Sequence, residues 1–246
     1  MNVKLSEELK MLKEMAYKFA VAEFTPHIRE CDEHETYTPE IRKKAAENGL
    51  VGAWIPDTYG GAGAGILGNA VITEELSKID MGIGLNVVAA CFGCESIFQY
   101  GSEEQKKKWL PPVCAGEMVS AGAFTEPNAG TDVSGYKTRA VKQGDRYVIN
   151  GNKMFITNGT VCNFMVAQCI TNPDEKKHNS FSLIIVPADT PGVTRNKIRG
   201  KMGIRSSDTA EIAFEDVKVP VTNLVGKEGK GFYELMHFFD TTRVMV

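Results

Sequence analysis

At 246 residues, 43% of them hydrophobic and 24% charged, the chain is long enough for one large or two modest domains around a substantial core. Twenty-eight basic against thirty-one acidic residues leave a formal net charge of −3, which gives no electrostatic reason to expect nucleic acid or an anionic membrane as partner. No apolar run reaches the ~18–20 residues of a membrane span. The amphipathic start MNVKLSEELKMLKEMAYKF lacks the apolar stretch of a signal peptide. The expectation is a soluble cytoplasmic protein, or one of the mitochondrial matrix if a transit peptide has been removed.

The first ~115 residues read as helices. After Ser6, residues Leu9, Leu12, Met15, Phe19 and Ala22 recur at helical spacing and predict one apolar face. Thr38-Pro39 reads as an N-cap followed by proline at the first helical position, and Asn48-Gly49 as the stop. Residues 51–65 are a Gly-rich loop leading into a helix near Ile66–Ile79. Ile83–Tyr100 is apolar on most faces and predicts one central buried helix. Ser102 to Gln105 form a capping box that opens a helix expected to end before Pro111-Pro112.

From Val119 the pattern changes to short strands broken by turn signals: Gly144-Asp145, Asn150-Gly151 and Asn158-Gly159. Phe164–Ile170 and Phe181–Val186 are apolar runs, and Thr209–Phe214 and Val217–Val219 continue the pattern to Pro220. These predict an antiparallel sandwich or small barrel. Helical character returns at Gly229 and persists to Val246 with no stop signal. The fold class expected is therefore α+β: a helical domain over 1–117, a β domain over 118–228, and over 229–246 the first part of a second helical domain.

Cysteines 31, 91, 94, 114, 162 and 169 are expected to be reduced core residues, because the Cys91-x-x-Cys94 pair sits in an apolar run without a second pair. The four histidines, at 27, 34, 178 and 237, show no ligand spacing, so no metal site is expected. Glu74-Glu75 and the charged run Glu103–Lys108 read as solvated faces.

Two segments carry the chemistry. In AGAFTEPNAGTD, residues 121–132, Pro127 biases Glu126 toward extended backbone, and the following turn offers N–H groups to a polar-edged ligand. In NGNKMFITNG, residues 150–159, strand alternation sends Phe155 and Thr157 to one face and Ile156 to the other, so that an aromatic ring and a hydroxyl can meet a flat ring system.

Together these segments resemble the paired flavin-binding signatures of the acyl-CoA dehydrogenase family, and the similarity runs along the whole chain. The resemblance implies FAD as cofactor, bound by Gly122, Phe124, Thr125 and Thr131 from the first segment and by Phe155, Ile156 and Thr157 from the second. Thr157 is expected near flavin N5, the atom that takes the hydride. The family usually has Trp where this chain has Phe155. Thr131 is also the family's position for contact with the acyl thioester, and the segment FDTTR implies that Asp240 and Arg243 touch the CoA. Asp240 and Arg243 alone read as an i, i+3 ion pair. Residues 200–209 with 214–220 resemble the end of the family's middle domain, where Arg205, Ser206 and Ser207 are structural or interfacial.

By the same resemblance the activity is α,β-dehydrogenation of an acyl-CoA to the trans-2-enoyl-CoA, with an electron-transferring flavoprotein as acceptor and a homotetramer as the usual assembly. The sequence stops well short of family length, so no catalytic base is assigned. The alternatives are a non-catalytic flavin- or CoA-binding module, a split-enzyme subunit, or an acyl-CoA oxidase. A further expectation is a large exposed apolar surface over 229–246 and on the β domain.

Overall fold

The computed structural model describes residues 4–244. The helical part comprises α1 (Glu7–Phe24), α2 (Ile28–His34), α3 (Pro39–Glu47), α4 (Gly65–Ile79), α5 (Met81–Val88), α6 (Cys94–Tyr100) and α7 (Glu103–Cys114). Strands β1 (Ser120–Ala123), β2 (Arg139–Gln143), β3 (Arg146–Thr157), β4 (Phe164–Ile170), β5 (Phe181–Pro187), β6 (Val193–Lys197), β7 (Thr209–Pro220) and β8 (Leu224–Val225) follow, and α8 (Gly231–Thr242) closes the order.

The N-terminal helix begins where Ser6 predicts, its hydroxyl accepting from the Leu9 amide at 3.3 Å. Its buried face is rotated from the expected one: Ala16, Ala20 and Phe24 are buried, while Met15 and Ala22 are exposed. Two alanines on one face let α1 lie close on α4. Thr38 precedes α3 without a side-chain cap; its hydroxyl lies 3.4 Å from the Asn86 amide instead.

Three expectations about element ends are corrected. The run Ile83–Tyr100 is two helices, α5 and α6, because groups of the β part take the carbonyls that a continuous helix would need: Asn158 Nδ2 donates to Ala89 O at 2.7 Å, and the Ser120 amide to Ala90 O at 2.8 Å. Helix α7 does not stop before Pro111-Pro112 but carries both prolines to Cys114. The carbonyls that lose their donors belong to Lys107 and Lys108, exposed residues whose backbone water can satisfy. Asn150-Gly151 is a bulge inside β3, not a turn, because the Asn150 side chain exchanges two hydrogen bonds with Asp216 across the ladder, at 3.0 and 2.9 Å. On the partner strand, Asp216 has φ 51°, and β7 runs unbroken to Pro220. Glu75, expected on a solvated face, is buried and paired with Lys13 and Lys78.

The eight strands form one mixed sheet in the order β6-β7-β3-β2-β4-β5-β8, with β1 on β4. Most pairings are antiparallel as expected, but β1–β4 is parallel, and β2 meets β4, also parallel, at the single pair Arg139↔Ile170. With so thin a joint the sheet acts as two halves. Ile149, Met165, Ala167, Ile184, Ile212 and Phe214 belong to the core shared by both. On its other face the β4–β5 half packs Phe164, Val166, Leu183 and Ile185 against Trp54, Trp109 and Leu110 of the helical part and Leu235 and Phe238 of α8. Burial on both sides explains why β4 and β5 read as unbroken apolar runs. The apolar surface expected over 229–246 is reduced accordingly: Leu235 and Phe238 are buried, while Tyr233 and Val244 are exposed.

All six cysteines are free and buried. Among the described residues no His, Cys, Asp and Glu grouping could hold a metal ion, and no helix is long and apolar enough to cross a membrane.

Candidate flavin site

The two sequence segments converge on one cavity of about 210 Å³. The end of β1 supplies Gly122, the residues after it Phe124 and Thr125, the end of β3 Phe155, Ile156 and Thr157, and the α5–α6 connection Phe92. Helix α8 closes the cavity with Phe238, Phe239, Thr242 and Arg243.

Local backbone shape explains why these residues face inward. A Cβ at position 122 would sit 2.6 Å from the Phe124 ring, so only glycine lets that ring lie back along the strand. Phe124 then packs edge-on to Phe238, with ring centroids 5.0 Å apart. The β3–β7 ladder shifts register between Lys153 and Ile156, and at this irregularity Phe155 adopts φ 58°. A non-glycine residue with positive φ is strained. The bulge leaves the Phe155 ring 65% exposed, an unusual position for a large aromatic, while Ile156 is buried. The expected alternation is thus interrupted: Phe155 is exposed and Ile156 buried, yet Phe155, Ile156 and Thr157 all line the cavity.

Beneath the cavity lies a buried ion pair that the sequence reading missed. Lys153, with a side chain fully removed from solvent, donates to Glu126 Oε1 at 2.9 Å and to Phe124 O at 3.0 Å. Glu126 also accepts from the amides of Lys137 at 2.6 Å and Thr138 at 2.9 Å. Burial pushes the Glu126 carboxyl up, but Lys153 and the Thr138 donors together outweigh it and hold the group below its usual value. Burial also lowers the Lys153 ammonium, against the pull of Glu126. The Met154 amide bonds Thr125 O at 2.8 Å, so the knot ties both cavity-forming segments together. The available signal was a pair of opposite charges, one beside each motif, on segments read as facing a common ligand.

Of the residues expected to bind flavin or substrate, Gly122, Phe124, Thr125, Phe155, Ile156, Thr157 and Arg243 line the cavity. Thr131 and Asp240 are exposed and lie outside its lining. Arg243 rests over the Phe239 ring, 5.0 Å from its centroid, and so presents its guanidinium at the cavity edge. Phe92, Phe238, Phe239 and Thr242 were not foreseen: Phe92 enters from the α5–α6 connection, and the place of the other three depends on how α8 docks. Arg205, expected to be structural, donates to the carbonyls of Asp32 and Lys201.

The walls fit a flavin. They offer aromatic surface for a flat ring, two hydroxyls from Thr125 and Thr157 for its polar edge, and one guanidinium, while the Thr242 hydroxyl donates to Phe238 O at 2.9 Å. The volume is below the roughly 300–1,000 Å³ of pockets that enclose a whole drug-sized ligand, so it accommodates a ring system but not an entire dinucleotide. No carboxylate is among the lining residues.

Comparison with known proteins agrees with this geometry. The family model described as acyl-CoA dehydrogenase, N-terminal domain, matches residues 6–117, and that for the middle domain of the same family matches 121–217. A probable acyl-CoA dehydrogenase of Bacillus subtilis is 38% identical over 100% of this chain and 65% of its own length. The crystal structure of the Geobacillus kaustophilus acyl-CoA dehydrogenase superposes with a TM-score of 0.91 at 41% identity, covering 99% of this chain and 64% of its own. A glutaryl-CoA dehydrogenase from Mycobacterium smegmatis, solved in complex with FADH2, superposes with a TM-score of 0.90 at 29% identity, covering 97% and 60%. The chain thus spans less than two thirds of the length of the relatives it matches. By its helical part, its mixed sheet and its sequence, the chain belongs to the acyl-CoA dehydrogenase family.

Proposed function

We propose that the chain binds FAD in the cavity between β1, β3 and α8, and that the protein catalyses α,β-dehydrogenation of an acyl-CoA thioester to the trans-2-enoyl-CoA. The reading rests chiefly on the meeting of both flavin-type segments with Thr242 and Arg243 of α8 in one cavity. Bound there, the flavin supplies the two-electron acceptor for the hydride leaving the β-carbon. The residues of the chain do the positioning. Phe155 and Phe124 offer faces and edges for the ring, Thr125 and Thr157 donate hydroxyls to its heteroatoms, and Arg243 meets an anionic part of the CoA. Thr131 and Asp240 extend the site along the surface toward the thioester and nucleotide.

Removal of the α-proton requires a carboxylate, and the cavity lining has none. The proton acceptor is therefore not among these lining residues, whose contribution is binding and orientation. Under the same proposal an electron-transferring flavoprotein is the re-oxidant and a homo-oligomer the working form.

The test is spectroscopic. Protein loaded with FAD and titrated anaerobically with acyl-CoA thioesters should show a saturable change in the flavin absorption spectrum, weakened in Arg243→Ala. If no thioester alters the spectrum, the proposed substrate class is wrong. Bleaching would mean that these 246 residues also hold the proton acceptor.

A further inference from the structure

Phe238 also lines a second cavity, of about 170 Å³, that none of the roles above uses. Trp54, Phe98 and Tyr100 form its other aromatic walls, Trp54 and Phe98 meeting edge-on at 5.7 Å. Glu95 and Ser96 of α6 and Glu234 of α8 line it as well.

Glu95 and Glu234 are each only 6% exposed, and each is tethered by one oxygen. Glu95 Oε2 accepts from the Gly93 amide at 2.9 Å, and Glu234 Oε1 from the Lys227 amide at 3.4 Å. Their other oxygens, Glu95 Oε1 and Glu234 Oε2, have no hydrogen-bond partner, and neither has the Ser96 hydroxyl. Among the described residues neither carboxylate forms an ion pair. Buried polar atoms are normally satisfied, and three unsatisfied ones around one aromatic-walled cavity indicate a missing partner that donates hydrogen bonds or carries positive charge. Aromatic faces beside carboxylates are the chemistry that recognises organic cations. The volume is close to that of the ~150 Å³ engineered cavity that holds benzene, so a group of a few heavy atoms fits.

We propose that this cavity binds a small organic ammonium ion, its charge between Glu95 and Glu234 and its carbon surface against Trp54, Phe98, Tyr100 and Phe238. Because burial raises both carboxyls to about 7, a cation must draw protons off them as it enters. The other titratable groups around them are Tyr100 and His237, which share the cavity, and Cys91 and Cys94 behind Glu95. Burial raises Tyr100 and both thiols, which therefore stay neutral at pH 6 to 8.

The probe is choline, set against its uncharged carbon counterpart 3,3-dimethyl-1-butanol, in calorimetric titrations of the 246-residue chain with no flavin present. Choline should bind at one site, at least about tenfold more tightly than the alcohol, and more tightly at pH 8 than at pH 6 by up to roughly tenfold per carboxyl. Glu95→Gln and Glu234→Gln should each weaken it by roughly tenfold. Should either variant fail to fold, the wild-type chain titrated at pH 7 in two buffers of different ionisation enthalpy should still show proton release on binding. Absence of choline binding, equal affinity for the alcohol, or binding without proton release would overturn the proposal. The flavin reading is untouched by any of these outcomes.

Discussion

Lys153 and Glu126 are two buried charges that answer each other across the segments forming the candidate flavin cavity. Removing one partner leaves the other desolvated and unpaired, the situation that costs most in a protein interior. Lys153→Met is expected to lower stability by about 3–5 kcal/mol, read from urea unfolding, and Glu126→Gln in the same chain should recover part of that loss. The pH responses of the buried carboxyls differ in sign. Glu126 is held below its usual value, so the stability it contributes is present above that value and is lost as acid protonates the folded state. Glu95 is raised from 4.5 to about 7, so the folded chain binds more protons than the unfolded chain across that window, and stability falls as pH rises through it. The change from Glu95 should approach about 3 kcal/mol, and Glu95→Gln should make the profile shallower, leaving the slope from Glu234, which is raised over the same window; an unchanged profile in that variant would assign the slope to another group. At this scale the sequence was informative where a motif repeats a known chemistry, as at Phe155–Thr157. It was silent on Lys153 and Glu126, because only the folded ladder brings residues 27 apart in sequence to 2.9 Å.

Among the elements, α8 depends on one close approach. Gly231 begins the helix, and a Cβ there would stand 2.7 Å from the backbone of Ser182 in β5. Gly231→Ala should push the helix off the sheet, separating Phe238 from Phe124 and opening the cavity. The expected signs are a destabilisation of about 1–3 kcal/mol together with weaker flavin binding. A variant with wild-type flavin affinity would show that α8 is not a wall of the site. Element types were largely legible from periodicity, and β4 was predicted to the residue. Ends were less so wherever a distant group intervened. Asn158 and Ser120 stop a helix some 30 to 70 residues before them, at Ala89 and Ala90, and Asp216 converts an apparent Asn150-Gly151 turn into a bulge. The two prolines of α7 misled for a simpler reason: proline in a last turn removes donors only from carbonyls that water can reach.

For the whole molecule, the arrangement is a doubly covered half-sheet. The β4–β5 half is packed by the other strands on one face and by helices on the opposite one, and the candidate flavin cavity opens at its edge, where both meet. Composition and motif order foretold a helical part followed by strands, but the parallel β1–β4 pairing and the docking of α8 depend on long-range contacts that no local pattern encodes. That docking gives the site its third wall. The most direct measurement of the central claim is FAD affinity by flavin-fluorescence quenching for the wild-type chain, Phe155→Ala and Thr157→Val, with Val141→Ala, exposed on β2, as control. The account predicts one saturable site, weakened about tenfold or more by each cavity substitution and unaffected by the control. Absence of flavin binding, or equal affinity in all four proteins, would contradict it.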